Sequence, residues 1–176
     1  MPLTCPDGFL SFNTTQRGTD SRAQAEDARL TGMGANVIGV GYEGLDQAGL
    51  ISKLRLRGVA TLVDVRLNPI SRKKGLSKTA LAERLASEGI GYEHLPSLGN
   101  PRDNREGFAD DAGEQGREAR DRFSQILSGE AAQAALERVR DLTSDGTVAL
   151  LCFEQDETLC HRSLVLEALK AQLVDA

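Results

Sequence analysis

Short apolar runs and helical apolar patterns alternate along most of this chain. The runs at 36–40 (NVIGV) and 59–65 (VATLVDV) have the length of buried strands. Between them, apolar residues recur at helical spacing over 45–57, and Gly58 follows where a helix would end. A strand, a helix and a strand in succession predict a βαβ unit, in which the strands are parallel and the crossover is right-handed.

The rest of the chain continues this alternation. The further predicted elements are a helix over 77–88, a strand over 90–95, helices over 118–127 and 130–142, a buried strand over 148–153 and a last helix that reaches 173. The polar segment 97–116 is longer than most connections, so we interpret it as a loop and a candidate lid. The pattern predicts an α/β fold: a Rossmann-like three-layer sandwich with a mainly parallel sheet and helices on both faces.

Composition adds expectations about domains and partners. We expect 36–176 to form a single α/β domain and 1–35 to be a flexible N-terminal extension, because 14–27 is polar throughout. No apolar run approaches the about 20 residues of a membrane span, and no secretory signal is recognisable. The three cysteines are too few for a disulfide framework, which favours a cytoplasmic protein. A net charge of −5 gives no general attraction to nucleic acid, so such a partner would need a local basic patch.

Reactive side chains follow two of the predicted strands. Cys160, His161 and Arg162 are placed in the first turn of the last helix, just after the strand at 148–153. Asp64 and Arg66 stand where the strand at 59–65 ends, and their spacing of two residues suits either an anchored Asp–Arg pair or a site that binds an anion bidentately. Parallel strands end at one edge of a sheet, where open α/β sheets bind ligands and where helix N-termini favour anions. The sequence therefore predicts that these two segments meet and form an anion-binding site.

A glycine motif offers a different site. Gly39, Gly41 and Gly44 form G-x-G-x-x-G between a strand and a helix, and Asp64 lies 20 residues beyond Gly44, as in a dinucleotide-binding fingerprint. However, Gly39 falls inside the predicted strand, and the tyrosine and glutamate at 42 and 43 would crowd a pyrophosphate. We therefore prefer a structural turn and keep dinucleotide binding as an alternative.

Thiol-based catalysis is one function that these residues could serve. A cysteine at a helix N-terminus beside cationic side chains is a candidate nucleophile, and Cys160 has His161 and Arg162 next to it. Glu154 or His161 would move the proton. The structural alternative is that Cys160 packs between helix and sheet, since free cysteine is among the most buried residue types.

Binding of a phosphorylated ligand is a second function. Arg66, Arg72 and Arg162 would supply positive charge, while Asp64 and Glu154 would orient a ribose or a metal ion in a nucleotide or nucleic-acid end. A non-catalytic regulatory or nucleic-acid-associated binding module is a further alternative. No cofactor and no oligomeric state follow from the pattern.

A transition-metal site is the weakest of the chemical alternatives. Cys152, Cys160, His161 and His94 are its candidate ligands, but no C-x2-C pair is present. Cys160 and His161 are also adjacent, and adjacent residues of a helix point in different directions. The predicted site accordingly contains no metal ligand.

Four motifs carry a resemblance to a known family. A Gly-Tyr turn follows the first strand, and the others are DVRxxPxSR at 64–72, GIxYxHLPxLG at 89–99 and LLCFExxxxxCHR at 150–162. In this combination, over about 36–173, the chain resembles the domain-of-unknown-function 488 family, whose members are small, mostly bacterial α/β proteins. One departure is Asn100, where relatives often have a second glycine.

The resemblance implies no settled activity, but it does imply which residues form the functional cluster. These are Asp64, Arg66, Pro69, Ser71, Arg72, His94, Cys152, Glu154, Cys160, His161 and Arg162. We therefore predict a cytoplasmic protein that acts on a phosphorylated or nucleotide-like ligand at a strand-end anion site, with Cys160 as the candidate reactive group. The predicted catalytic residues are Cys160, His161, Glu154 and Asp64, and the predicted ligand-binding residues are Arg66, Ser71, Arg72, His94, Arg162 and Tyr42.

Overall fold

Four parallel strands form the sheet that carries the candidate site. The computed structural model describes residues 37–110 and 112–174. The strands are β1 (Val37–Gly41), β2 (Val59–Asp64), β3 (Gly91–His94) and β4 (Thr147–Cys152). Their order is β1-β4-β2-β3 and every neighbouring pair is parallel, so the carboxyl ends of all four strands lie at the same edge. The predicted parallel sheet is confirmed.

Helices cover both faces of this sheet. They are α1 (Gln47–Leu56), α2 (Lys78–Ser87), α3 (Glu114–Leu127), α4 (Glu130–Leu142) and α5 (Arg162–Val174). Successive residues of a strand point to opposite faces, so β4 serves two cores. Its Ala149 and Leu151 pack with α1 and α2, while Val148 and Leu150 pack with α3, α4 and α5. The predicted three-layer α/β architecture is confirmed.

Caps explain where α1 begins and ends. The helix starts at Gln47 rather than at 45, because the Asp46 carboxylate accepts a hydrogen bond of 2.8 Å from the Gly49 N–H. Gly58 follows the helix with φ of 61°, a conformation that glycine adopts without steric cost. The predicted glycine stop is therefore confirmed.

The polar segment before α3 departs from the sequence prediction. Instead of one long loop it contains three short 3-10 helices, Pro96–Leu98, Arg102–Asn104 and Glu106–Ala109, and α3 begins at 114 rather than at 118. Leu98 and Phe108 are buried in the core. The Asn104 amide donates to Asn100 Oδ1 and to the Ala119 carbonyl, each at 2.9 Å. The loop prediction was wrong here because a few buried side chains anchor a mostly polar segment.

The predicted N-terminal extension, 1–35, lies outside the described residues. Within the described part of the chain, no helix combines the length and the apolar character that crossing a membrane requires.

Candidate functional site: a cleft at the carboxyl edge of the sheet

A cleft of about 240 Å³ lies at the carboxyl edge of the sheet. The two segments that the sequence predicted to meet both line it: Arg66 follows β2, and Cys160 and His161 precede α5. Among the described residues, the lining is Tyr42, Arg66, Leu67, Asn68, Ile70, Asn100, Arg105, Phe108, Cys152, Phe153, Glu154, Leu159, Cys160 and His161.

Two thiols and one imidazole converge on the floor of this cleft. His161 Nδ1 lies 3.7 Å from Cys160 Sγ and 3.9 Å from Cys152 Sγ. The Cys152 thiol also donates a hydrogen bond of 3.0 Å to Glu154 Oε2. The two sulfur atoms and the ring nitrogen of His161 all lie within 4.8 Å of one another. We call Cys152, Cys160 and His161 the sulfur–imidazole cluster.

The convergence depends on where α5 begins. The helix starts at Arg162, so Cys160 and His161 precede it rather than forming its first turn as predicted. The Cys160 N–H donates to the Glu157 carbonyl at 3.1 Å, and the Ser163 N–H donates to the Cys160 carbonyl at 3.1 Å. The prediction that the side chains of Cys160 and His161 point in different directions was therefore wrong. The two residues lie in the turn before the helix, and this turn directs both side chains to one point.

Two aromatic rings pack against the His161 imidazole. His161 is 7% exposed, and its ring lies 5.1 Å from the Phe123 ring and 6.5 Å from the Phe108 ring, both nearly perpendicular to it. Its Nε2 atom is buried without a hydrogen-bond partner among the described residues. A proton on Nε2 can interact with an aromatic face, which leaves the Nδ1 lone pair directed at the sulfurs.

Opposite pKa shifts accompany the Cys152–Glu154 contact. The neighbouring Cys160 thiol, followed by burial, raises the pKa of Cys152 well above its usual value. Burial alone would raise the pKa of Glu154 too, but hydrogen bonds, the first of them from Cys152, outweigh it and lower that pKa. The proton is therefore held on sulfur and the negative charge on the carboxylate.

Asp64 and Arg66 form a buried ion pair beside the cluster. Asp64 Oδ1 accepts from Arg66 Nε at 2.8 Å, Oδ2 accepts from Arg66 Nη2, and Tyr92 donates to Oδ2 at 2.7 Å. Arg66 Nη1 donates to the Tyr42 hydroxyl at 3.1 Å and to the Leu76 carbonyl at 3.0 Å. Burial alone would lower the pKa of Arg66, but the bonds to Asp64 and its charge raise it. The guanidinium is therefore largely engaged inside the protein.

Arg162 is engaged in the same way. The side chain is 1% exposed, and Nη1 and Nη2 each donate to the Glu154 carbonyl at 3.1 Å. Nη1 also donates to the Val40 carbonyl at 3.3 Å, and Nε lies 3.6 Å from Glu157 Oε2, too far for a hydrogen bond. Arg162 therefore joins β1 to the segment after β4 and does not line the cleft, in contrast to the predicted ligand-binding role.

Three further predicted residues lie away from the cleft lining. Ser71 Oγ accepts from the Lys73 N–H at 3.1 Å, and Arg72 is exposed. His94 Nε2 lies 2.9 Å from the Arg66 carbonyl oxygen, and its Nδ1 lies 3.2 Å from Lys78 Nζ. The structure thus brings Tyr42, Arg66, Glu154, Cys160 and His161 together, but not Ser71, Arg72, His94 or Arg162. Asp64 is buried behind Arg66 and does not line the cleft.

The glycines of the G-x-G-x-x-G pattern make room for the protein's own chain. A Cβ on Gly39 would lie 1.8 Å from Glu157 Oε2 and 2.8 Å from Arg162 Nε. A Cβ on Gly41 would lie 2.0 Å from the Glu154 carbonyl oxygen. The segment after β4 therefore occupies the space beside β1 in which a pyrophosphate would lie if these glycines formed a dinucleotide-binding motif.

Sequence reasoning missed several residues that line the cleft. Asn100, Arg105 and Phe108 come from the segment interpreted as a loop, and Asn68 and Ile70 lie between motif residues. Arg105 is exposed and donates from Nε to the Asn100 carbonyl at 3.2 Å. Its position within a candidate lid was the only sequence signal that could have identified it.

Comparison with known proteins identifies the family of this chain. Residues 47–169 match the family described as "Domain of unknown function DUF488", which confirms the resemblance seen in the sequence. No curated protein and no solved structure matches the chain significantly.

Proposed function

We propose that this chain, which belongs to the DUF488 family of proteins of unknown function, binds a small phosphorylated or nucleotide-like ligand in the cleft, next to the sulfur–imidazole cluster. The observation that carries the proposal is the distribution of groups around the cleft. A cation with unused donors, two asparagine amides and two exposed apolar side chains surround the same space.

Arg105 is the residue that we propose binds the anionic group. Of the two arginines that line the cleft, Arg66 already has the Asp64 carboxylate as its counter-ion. Among the described residues Arg105 has only the bond from Nε to a carbonyl, so its two terminal nitrogens are available. A planar guanidinium can bind two oxygens of a phosphate at once, which gives both attraction and orientation.

Phe153 and Ile70 supply an apolar surface for the remainder of the ligand. Ile70 is 84% exposed and Phe153 is 43% exposed, although both are large apolar side chains. The Phe153 ring meets the Tyr42 ring edge to face, with centroids 5.4 Å apart, so it is held in place while part of it remains exposed. Nucleobases stack on aromatic rings held in this way.

The volume of the cleft limits the size of the ligand. About 240 Å³ lies below the about 300–1,000 Å³ of pockets that enclose drug-sized molecules. We therefore propose a small phosphorylated compound, or a mononucleotide that extends partly out of the cleft, rather than a dinucleotide. Any chemistry on this ligand would run through the sulfur–imidazole cluster, since Asp64 is fully buried and engaged by Arg66 and Tyr92.

Thermal-shift measurements on matched variants test the proposal. We expect nucleoside monophosphates to raise the melting temperature of the wild type, and their affinity to fall at least about tenfold in Arg105→Ala, which loses charge-assisted hydrogen bonds. Arg102→Ala is the control, because Arg102 is exposed in the neighbouring 3-10 helix and does not line the cleft. An equal response of both variants, or no response of the wild type to any phosphorylated compound, would contradict the proposal.

A further inference from the structure

The distances within the sulfur–imidazole cluster are close to those of a metal site. In a tetrahedral zinc site with Zn–S near 2.3 Å and Zn–N near 2.0–2.1 Å, sulfur and nitrogen ligands are about 3.6 Å apart. His161 Nδ1 lies 3.7 Å from one sulfur and 3.9 Å from the other. A movement of a few tenths of an ångström would therefore bring Nδ1 to the required distance from each sulfur, and the two sulfurs, which would be about 3.8 Å apart around a zinc ion, lie within 4.8 Å of each other.

Hydrogen bonds alone explain the convergence of these three side chains less well than a bound ion would. A ring nitrogen has either one lone pair or one proton, so His161 Nδ1 can form one good hydrogen bond, yet two sulfurs face it. Both sulfur-to-nitrogen distances, 3.7 Å for Cys160 and 3.9 Å for Cys152, are long for a hydrogen bond, while the two thiols also interact with each other and with Glu154. An ion between the three atoms would use all of them at once.

Charge and burial also suit a divalent ion. Cys152, Cys160 and His161 are 6%, 1% and 7% exposed, so the cluster lies where an unbalanced charge would be costly. Two thiolates and a neutral imidazole together offset a charge of +2, the Glu154 carboxylate beside Cys152 adds one further negative charge, and binding would release the two thiol protons to solvent.

We propose that Cys152, Cys160 and His161 bind one zinc ion at the floor of the cleft. Soft thiolate and imidazole ligands favour zinc over magnesium or calcium. Three protein ligands leave a fourth position, and each of the three residues lines the cleft, so that position can face a ligand. This inference goes beyond the proposed function and does not need it, because metal content is measured without any phosphorylated compound.

Cobalt titration of the reduced, metal-free, full-length chain tests the inference. We expect one equivalent of Co²⁺ to produce thiolate-to-cobalt charge-transfer bands and the d–d bands of a tetrahedral ion, and zinc to displace it. A wild-type chain that gives no such bands, or that binds cobalt without charge transfer from sulfur, would overturn the proposal.

Variants locate the site. Cys152→Ser, Cys160→Ser and His161→Gln should each weaken cobalt binding by more than about a hundredfold, since removal of an outer-shell partner alone already costs 10–100-fold. The chain has two histidines, so His94→Gln is the matched control and should bind cobalt like the wild type. If His94→Gln lost binding as well, the assignment would be wrong.

A measurement on the wild type covers the case in which a variant does not fold. One equivalent of zinc should slow the alkylation of Cys152 and Cys160 by N-ethylmaleimide, as followed by mass spectrometry of each cysteine peptide. If zinc left both alkylation rates unchanged, the proposal would fail whether or not the variants fold.

Discussion

Asp64 and Arg66 bind each other at two points inside the protein, Oδ1 to Nε and Oδ2 to Nη2. The two residues are next-but-one neighbours at the end of β2, and both side chains are at most 6% exposed. The spacing of the two residues predicted either an anchored Asp–Arg pair or a site that binds an external anion. In the structure, Arg66 binds the Asp64 carboxylate. This ion pair holds the Arg66 side chain in place in the lining of the cleft.

Removing the charge of Asp64 should therefore destabilise the fold. Asp64→Asn keeps the shape of the side chain but leaves Arg66 buried without its counter-ion, which typically costs about 3–5 kcal/mol. Urea denaturation followed by circular dichroism measures the loss. Asp103→Asn is the control, because Asp103 pairs with Arg122 on the surface and should give an unchanged midpoint. Equal midpoints for the two variants would contradict a structural role for the Asp64 pair.

Arg162→Lys should loosen the segment after β4, although the charge is kept. Lysine cannot donate to the Glu154 and Val40 carbonyls in the geometry that a guanidinium provides. We expect faster hydrogen exchange at the amides of 154–158. Arg84→Lys, at an ion pair that is 47% exposed on the arginine side, should leave exchange in that segment unaltered. Unchanged exchange in Arg162→Lys would show that the arginine does not hold the segment.

Gly41→Ala should disturb the cleft through the backbone. The new Cβ would lie 2.0 Å from the Glu154 carbonyl oxygen and 2.6 Å from Gln155 Cα, so the backbone must move, at a typical cost of about 1–3 kcal/mol. We expect a lower melting temperature and altered cobalt bands. Gly49→Ala adds the same methyl group in α1, 3.2 Å from the nearest atom, and should change stability by no more than about 1 kcal/mol. The prediction fails if both alanines behave alike.

Phe123→Leu should weaken metal binding without contact to the metal. Its ring packs against the His161 imidazole, and a smaller side chain gives the imidazole freedom to rotate. We expect cobalt affinity to fall about tenfold, as for other outer-shell changes. Leu81→Ala, in the core on the opposite face of the sheet, should cost about 2–5 kcal/mol of stability but leave cobalt affinity unchanged. If both variants lost cobalt affinity, the loss in Phe123→Leu would be due to general destabilisation of the fold.

The architecture was predictable because it rests on local patterns. The apolar runs at 59–65 and 148–153 became β2 and β4, and the helical spacing between 45 and 57 became α1. The segment at 97–116 was not predictable in this way. Its short helices depend on contacts distant in sequence, such as the bond from Asn104 to the Ala119 carbonyl.

The site was predictable in position but not in detail. That Arg66 and Cys160 line one cleft follows from the parallel sheet, whose strands all end at the same edge. The sequence displays the charges of Arg66 and Arg162 and offers Asp64 as a partner for Arg66, but it does not show the carbonyl groups that engage Arg162. The convergence of Cys160 with His161 depends on the single residue at which α5 begins, and helix boundaries are the least certain part of a sequence pattern.

The position of β4 has a consequence for biosynthesis. β4 is synthesised after β1, β2 and β3, yet it lies between β1 and β2, and it is the partner of β1 among the described strands. A nascent chain that ends before residue 147 can pair β2 with β3 but leaves β1 without a neighbour. Pairing of β1 within the sheet therefore waits until β4 has been synthesised, and until then the apolar β1 presents unpaired edges of the kind that favour aggregation.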